Sequence, residues 1–172
     1  NLLIFRKVRG IFGGKLQFCV GGGALLDVKQ QRFFYTLGVP IYQGYGLTEA
    51  TPIISANSVH THKLGTSGKI LPGITCKIVD PNRNELPKGQ KGEIVIKGNN
   101  VMAGYYKNEK ATEETFENDW FKTGDLGYFD EDGFLYICGR KKNVIIANNG
   151  ENVYPEEIED ILNRNQFVLE CL

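Results

Sequence analysis

The sequence lacks an excess of charge of either sign, a cysteine framework and long apolar runs. Among its 172 residues, 20 basic side chains balance 20 acidic ones, which excludes a nucleic-acid binder held by bulk positive charge and a polybasic membrane anchor. The four cysteines are scattered and form no CxxC pair, so a zinc or disulfide framework is excluded and a reducing, cytoplasmic setting is expected. No apolar run exceeds six residues, so we expect no transmembrane segment and no signal peptide.

Enough apolar surface is present for a folded core. Hydrophobic residues make up 41% of the chain and aromatic residues 11%, which excludes disorder over most of its length. The 21 glycines cluster between apolar runs, a pattern typical of tight turns and of close backbone approach to a ligand. The chain opens on Asn1 and stops on Leu172 just after an apolar stretch, so we expect it to be a piece of a longer protein.

The first third alternates helical and strand patterns, which predicts a parallel sheet. We expect a helix that Asp27 caps and that Gly38 ends, because a short polar residue before a helix and a glycine after it are the usual boundaries. The predicted elements are a helix over Leu2–Ile11, a strand over Lys15–Val20, a helix over Asp27–Leu37 and a strand over Pro40–Gln43.

The rest of the chain predicts short strands joined by Gly- and Asp-rich turns, which indicates a small antiparallel sheet or barrel. A third region begins near Gly139 and contains an apolar strand and a helix with Pro155 at its first position. The predicted elements are strands over Thr75–Val79 and Glu93–Lys97, a helix over Glu109–Phe116, a hairpin over Tyr128–Cys138 and a strand over Val144–Ala147. The predicted fold class is therefore α/β, of the mixed α+β kind.

One run after a predicted strand combines groups that suit a nucleotide. Its glycines let the backbone approach a ligand, its tyrosine can stack on a flat base, its threonine offers a hydroxyl to phosphate, and its glutamate offers a hard oxygen to Mg²⁺. The alternative is a strand-to-helix turn with the threonine as helix cap. The run consists of Gln43, Gly44, Tyr45, Gly46, Leu47, Thr48 and Glu49.

Three further positions are candidates for ligand contacts. The glycine run Gly21–Ala24 could offer a bare backbone edge to a planar ligand, or could simply form a tight turn. Asp125 could accept hydrogen bonds from a vicinal diol such as a ribose, or could form an Asx turn before the hairpin. Arg140 could bind a ribose oxygen or a phosphate, or could be an exposed charge beside the sheet.

Several other kinds of site are excluded by what the sequence does not contain. It has no Walker A loop, no Rossmann fingerprint and no Ser–His–Asp or Cys–His constellation. His60 and His62 form an H-x-H pair, but no third ligand follows at a sensible spacing, which argues against a metal site.

Taken together and in order, five segments closely resemble the successive core motifs of the adenylate-forming superfamily. The resemblance covers nearly the whole chain, and two details are most similar to the long-chain fatty acid–CoA ligase branch: the opening Val8–Leu25 and the stretch from Gly139 to Glu159. The five motifs are Tyr45–Glu49, Gly92–Gly98, Val101–Tyr106, Trp120–Asp125 and Gly139–Lys142.

The resemblance implies a two-step reaction that needs ATP, Mg²⁺ and a fatty acid. The carboxylate attacks the α-phosphate of ATP to give an acyl-adenylate and pyrophosphate, and the thiol of coenzyme A then displaces AMP. It implies that Thr48 contacts phosphate and Glu49 holds Mg²⁺, both as catalytic residues, and that Asp125 binds both ribose hydroxyls with Arg140 nearby. The other implied nucleotide-binding residues are Gly22, Gly23, Ala24, Gln43, Gly44, Tyr45, which would stack on adenine, and Gly46.

The resemblance also implies a division of the chain. Residues 1–140 would be the closing part of a large domain, with an α/β part over 1–60 and a β-rich part over 61–140. Residues 141–172 would begin a small mobile domain that turns about a hinge at Lys141 or Lys142, and Gly150 would lie close to coenzyme A.

Two parts of the family pattern are expected outside this chain: the phosphate loop and the C-terminal catalytic lysine. We therefore expect a fragment that is inactive by itself. Two alternatives stay open at this point. One is an enzyme that delivers the acyl group to the phosphopantetheine of a carrier protein, and the other is a noncatalytic binding module. No nucleic-acid partner is expected, and peripheral membrane association of the parent protein is compatible with the sequence.

Overall fold

The computed structural model describes residues 2–148, 152–163, 165, 167–168 and 171. The chain forms two compact units, each assembled from several segments. The first unit contains residues 1–74, 98–103 and 133–136, and the second contains 75–97, 104–132 and 137–172. The predicted boundary at residue 140 stays a prediction, because these units are defined by packing within this chain alone.

A four-stranded sheet and two helices make up most of the first unit. Strands β1 and β2 are parallel, as predicted, and β2–β3 and β3–β4 are antiparallel, in the order β1-β2-β3-β4. The elements are α1 (Leu2–Ile11), β1 (Cys19–Gly21), α2 (Val28–Thr36), β2 (Ile41–Gly46), β3 (Ile53–Ala56) and β4 (Lys69–Ile70).

The boundaries of α2 follow the local signals in the sequence. The Asp27 carboxylate accepts the Lys29 amide at 2.7 Å, and Gly38 leaves the helix with a φ of +75°; this confirms the predicted cap and stop. Strand β1 is shorter than predicted, because only three of its residues are in register with β2, from Cys19 opposite Ile41 to Gly21 opposite Gln43.

The second unit is built on a five-stranded sheet with the order β5-β6-β8-β7, and β9 pairs with β8. Strands β6 and β7 both run antiparallel to β8, which confirms the predicted antiparallel part. The elements are β5 (Ile74–Val79), β6 (Gly92–Gly98), α3 (Glu109–Thr115), β7 (Phe116–Glu117), β8 (Trp120–Phe129) and β9 (Leu135–Arg140).

Strand β6 lies at the centre of the core of this sheet. Ile94 and Ile96 are fully buried and Val95 between them is 5% exposed, so both faces of β6 are covered. Strand β8 alternates between half-buried and buried residues from Trp120 to Asp125, as a strand with one face toward the core does. The predicted hairpin is confirmed, since β8 and β9 are joined by the turn over Asp130–Gly133.

The chain continues from β9 through a 3₁₀ turn over Lys141–Asn143, the antiparallel pair β10 (Ile145–Ile146) and β11 (Asn152–Val153), and helix α4 (Pro155–Asn163). Pro155 opens α4 as predicted, because proline suits the first turn of a helix. Gly150 lies outside the described residues. Among the helices that the structure describes, none is both long enough and apolar enough to cross a membrane.

Two cysteines should ionise less readily in the folded chain than a free thiol does. Burial raises the pKa of Cys76 to about 12, and burial, opposed by Lys91 and reinforced by Glu157, raises that of Cys138 to about 11. Because the thiolate is the reactive form, iodoacetamide at pH 8 should label Cys76 and Cys138 much more slowly in the native chain than in the chain unfolded in urea. Peptide mass spectrometry after timed quenching measures this, and equal rates at these two thiols in the folded and unfolded chains would contradict it.

Candidate functional site

The Thr48–Ala50 turn follows β2 directly. Leu47 occupies the cap position and makes no side-chain cap hydrogen bond, so the alternative that Thr48 caps a helix is wrong. The Thr48 side chain is exposed, and its hydroxyl makes no hydrogen bond to any part of the chain that the structure describes. A hydroxyl in this position can donate to an incoming phosphate oxygen.

A neighbouring loop holds this turn in place. The Met102 amide donates to the Glu49 carbonyl at 2.8 Å, and the Asn100 amide side chain donates to the Ala50 carbonyl at 2.7 Å. The Thr51 hydroxyl donates to the Asn100 carbonyl. The loop that carries Asn100 and Met102 therefore holds the backbone at the half-buried Glu49 in place. Sequence reasoning missed Asn100, because nothing local links it to a turn fifty residues earlier.

Position 46 has room only for a glycine, because the backbone of Pro52 occupies the space that a side chain would need. A Cβ at Gly46 would lie 1.8 Å from the Pro52 carbonyl oxygen, where the β2–β3 register shifts between Tyr45 and Gly46. The fold itself therefore requires a glycine at this position, and the predicted contact of Gly46 with a nucleotide stays a prediction. Gly44 is less crowded: a Cβ at this position would lie 3.0 Å from the Ser55 carbonyl oxygen.

Replacing Gly46 by Ala should therefore destabilise the fold by about 2 kcal/mol, since a backbone carbonyl must shift to admit the methyl group. Chemical denaturation followed by circular dichroism measures this change. Gly10→Ala is the matched control, because Gly10 is helical with nothing within 4 Å of its Cβ position and should be neutral or slightly stabilised. Equal stabilities of the Gly46→Ala variant and the wild type would contradict the assignment.

Buried glutamine side chains hold the glycine-rich loop against β2. Gln43 is 4% exposed, and its Oε1 accepts the Leu26 amide at 2.7 Å, while the Gln31 side chain donates to the Leu26 carbonyl at 2.5 Å. A Cβ at Gly21 would lie 2.3 Å from Gln43 Nε2, so this glycine makes room for the amide. The structure thus gives Gln43 a positioning role that sequence reasoning did not foresee.

These contacts bring two of the predicted segments together. Gly22 lies beside β2, with its Cβ position 3.7 Å from the Gly44 carbonyl oxygen. Gly23, at a φ of +86°, has open space around its Cβ position, and Ala24 is exposed. Tyr45 is half-buried. The exposed edge of the Gly22–Ala24 loop therefore lies next to the strand that carries Tyr45.

Asp125 lies inside strand β8, so the alternative of an Asx turn before the hairpin is wrong. Leu126 pairs with Glu93 and Lys122 pairs with Val95, which leaves three residues of β8 opposite one residue of β6. Gly124 adopts a φ of +71° in this bulge. Bulges redirect side chains and are common beside functional sites.

The Asp125 carboxylate is buried and paired. It is 5% exposed, and its Oδ1 lies 2.8 Å from Nε of Arg140, whose side chain is 55% exposed. The Asp125 amide donates to the Thr123 hydroxyl at 3.1 Å, and that hydroxyl donates to the Ile94 carbonyl at 2.8 Å. Arg140 presents its outer nitrogens without a hydrogen-bond partner among the described residues. An anchored carboxylate beside such a guanidinium can bind a diol and an anion.

The predicted hinge residues differ in their contacts. Lys141 Nζ lies 2.8 Å from Glu93 Oε2, and Glu93 is also paired with Arg83 at 2.7 Å. Lys142 is exposed and makes no ion pair or hydrogen bond within the described part of the chain. Removing Lys141 would leave buried Glu93 with one cation fewer.

Glu156 of α4 contacts the segment beside these lysines. Its Oε1 accepts the Arg140 amide at 3.2 Å and the Asn143 side-chain amide at 2.6 Å. Burial opposes ionisation of Glu156, but the hydrogen bonds from Asn143 and from backbone amides, with the charge of Arg140, outweigh it and keep the pKa below its usual value. Glu156 therefore stays ionised at neutral pH.

The candidate residues form two sets. Gly22–Ala24, Gln43–Gly46, Thr48 and Glu49 belong to the first unit, and Asp125 and Arg140 belong to the second. Within the described residues, no group of three or more His, Cys, Asp or Glu side chains could hold a metal ion by itself. A single carboxylate such as Glu49 suits Mg²⁺ that is shared with phosphate oxygens, which is how proteins often bind this ion.

The chain matches the model of the AMP-binding enzyme family over residues 6–106. A long-chain-fatty-acid–CoA ligase of Mycobacterium bovis is 40% identical over 170 residues, which cover 99% of this chain and 27% of that protein. A long-chain-fatty-acid–[acyl-carrier-protein] ligase of Arabidopsis thaliana is 37% identical over 178 residues, covering 96% of this chain and 24% of that protein.

A solved structure shows the same relationship. The o-succinylbenzoate coenzyme A synthetase of Bacillus subtilis, in complex with ATP and a magnesium ion, superposes with a TM-score of 0.82 and 34% identity, over 96% of this chain and 36% of that one. The chain belongs to the AMP-binding enzyme family, the adenylate-forming enzymes. It spans about a quarter of the length of the curated relatives that it matches.

Proposed function

We propose that this chain is part of an ATP- and Mg²⁺-dependent acid–thiol ligase that converts a long-chain fatty acid to its coenzyme A thioester. The observation that carries the proposal is the buried Asp125 carboxylate, 5% exposed, which is redirected by a bulge and paired with the half-exposed Arg140. A structural ion pair does not need a bulged strand, whereas a ligand-binding carboxylate benefits from one.

Asp125 and Arg140 bind the sugar of the nucleotide in this proposal. The Asp125 carboxylate accepts hydrogen bonds from the two ribose hydroxyls, and Arg140 Nε holds its Oδ1 in place at 2.8 Å. The outer nitrogens of Arg140 donate to the ribose or to a phosphate oxygen. Each bond joins a charged group to a neutral or anionic partner and is stronger than a neutral hydrogen bond.

The residues of the first unit bind the phosphates and the base. The exposed Thr48 hydroxyl donates to a phosphate oxygen, and Glu49 would hold Mg²⁺ on a turn that Met102 and Asn100 keep fixed. When bound, the ion would offset the negative charge of the phosphates. Tyr45 stacks on the adenine beside the exposed Gly22–Ala24 edge.

The chemistry consists of two displacements. A carboxylate oxygen of the fatty acid forms a bond to the α-phosphorus as the bond to pyrophosphate breaks, which gives the acyl-adenylate. The sulfur of the deprotonated thiol then attacks the acyl carbon, the bond to AMP breaks, and the thioester is released. The residues of this chain contribute positioning and charge neutralisation.

The choice of fatty acid and of coenzyme A rests on the relatives. The M. bovis relative carries both in its name, and the pattern over Val8–Leu25 agrees with the same branch. The A. thaliana relative acts on an acyl-carrier protein by its name, which keeps delivery to carrier-bound phosphopantetheine as the second candidate. We place the activity in the cytoplasm, in keeping with the free cysteines among the described residues.

The remaining assignments concern the second step. The segment from residue 141 onward begins a small domain that turns at Lys141 or Lys142, and Gly150 lies near the thiol donor in this proposal. The exposed side chain of Lys142 supports the hinge at that residue, because no hydrogen bond or ion pair within the described residues restrains it.

The test is thioester formation by the whole protein from ATP and palmitate. Coenzyme A should be used at least tenfold faster than a phosphopantetheinylated carrier protein, whereas the reverse preference would favour the second candidate. Thr48→Ala should reduce adenylate formation, trapped as the hydroxamate, about 100-fold, as loss of a transition-state hydrogen bond does. An unaffected variant would favour a noncatalytic binding module. The 172-residue chain alone should bind AMP weakly and should not exchange pyrophosphate into ATP.

A further inference from the structure

A cavity of about 250 Å³ lies on the antiparallel sheet of the second unit. Its apolar lining consists of Val79 of β5, Val95 of β6 and Trp120 of β8, and Lys122 lies two residues beyond Trp120 on the same face of the strand. Val95 and Lys122 are direct cross-strand partners. None of its lining residues belongs to the set proposed above for the nucleotide.

Three cationic and two anionic side chains line this cavity. Lys77 pairs with Glu85 at 2.8 Å and lies 5.1 Å from the centre of the Trp120 ring. Arg83 pairs with Glu117 at 2.7 Å and, away from the cavity, with Glu93. The positive charges of Lys77 and Arg83 are therefore balanced by the negative charges of the two glutamates with which they pair.

Lys122 is the remaining cation. It is half-buried and has no ion-pair or hydrogen-bond partner among the residues that the structure describes. The apolar side chains that line the cavity with it, Val79, Val95 and Trp120, offer this ammonium no ion-pair partner. One anionic group placed there would supply the missing partner.

The size and the apolar lining of the cavity restrict the ligand further. Ligand pockets commonly span about 300–1,000 Å³, so this one suits a single-ring molecule and not a nucleotide. The indole of Trp120 provides an aromatic surface, on which a ring packs in an offset or edge-on arrangement. We propose that this cavity binds a small aromatic carboxylate, with the Lys122 ammonium as the ion-pair partner and the ring against Trp120 and Val95.

Trp120 makes the proposal directly measurable, because it is the single tryptophan of the chain. Titrating phenylacetate into the whole protein should change the tryptophan emission with saturation, Trp120→Leu should abolish this change, and calorimetry should give the same affinity. The neutral phenylacetamide and the unbranched hexanoate should each bind at least about tenfold more weakly, since one lacks the charge and the other the ring. Equal binding of either analogue would overturn the assignment, as would the lack of a saturable change with phenylacetate.

Variants locate the site within the chain. Lys122→Met keeps the length of the side chain but removes the charge, and should weaken phenylacetate binding about tenfold or more. Lys122→Arg should bind within about threefold of the wild type. Lys110→Met is the matched control, because Lys110 is exposed on α3, and it should bind as the wild type does.

A folding defect is separated from a binding defect in two ways. Circular dichroism reports whether each variant folds, and Lys122→Gln serves if Lys122→Met does not. Trp120→Leu, followed by calorimetry alone, should also lose affinity for phenylacetate. Unchanged affinity in folded variants at either Lys122 or Trp120 would overturn the proposal.

Discussion

Replacing Asp125 by Asn is expected to raise the KM for ATP of the whole protein about 10- to 100-fold, the loss that follows when a charged hydrogen bond becomes a neutral one. Asparagine keeps an oxygen for Arg140 Nε, which now lies 2.8 Å from Asp125 Oδ1, but it offers the ribose no negative charge. Steady-state kinetics with varied ATP at saturating palmitate and coenzyme A measures the change.

Stability should change little in the same variant. The Arg140 side chain is 55% exposed, so its charge stays hydrated without its partner, and we expect a loss of about 1 kcal/mol or less. Glu131→Gln is the control, because Glu131 is an exposed carboxylate in the β8–β9 turn. A KM that does not move in a folded Asp125→Asn enzyme would remove Asp125 from the nucleotide site.

Replacing Glu49 by Gln is expected to lower kcat about 100-fold or more and to raise the Mg²⁺ concentration needed for half-maximal rate. The amide cannot supply the negative oxygen that Mg²⁺ prefers, and the ion then neutralises the phosphates less well. Because the Glu49 backbone is held by Met102 at 2.8 Å, the turn should keep its conformation in the variant.

The measurement is the rate of hydroxamate formation over a Mg²⁺ titration. Glu113→Gln is the matched control, since Glu113 is an exposed glutamate of α3 and its replacement should leave both values unchanged. An unaltered Mg²⁺ dependence in Glu49→Gln, together with wild-type kcat, would show that another group binds the ion.

Local signals in the sequence predicted the local parts of the fold. Asp27 and Gly38 set the ends of α2, and the Asp130–Gly133 turn predicted the β8–β9 hairpin, because each depends on residues within a few positions. The parallel pairing of β1 and β2 followed from the strand–helix–strand order. Strand β1 was predicted too long, since its length is set by how much of β2 lies in register with it.

The candidate site was predicted less completely. The sequence indicated Thr48 and Asp125 as candidates because of the chemistry of their side chains. It could not predict the bulge that carries Asp125, because that bulge depends on the register between β6 and β8. Gln43 and Asn100 act through contacts at separations of 17 and 50 residues, which no local pattern reveals. The structural reason for Gly46, the Pro52 carbonyl beside its Cβ position, could not be seen in the sequence either, because it depends on how β3 packs against β2.

The central claim is that Asp125 binds the ribose diol of an adenine nucleotide. The direct measurement is the affinity of the whole protein and of its Asp125→Asn variant for AMP and for 2′,3′-dideoxy-AMP, by calorimetry. Wild type should prefer AMP at least about tenfold, and the variant should bind both nucleotides nearly equally, because the charged partner of the hydroxyls is gone. Equal affinities in the wild type, or the same preference for AMP in both proteins, would contradict the account.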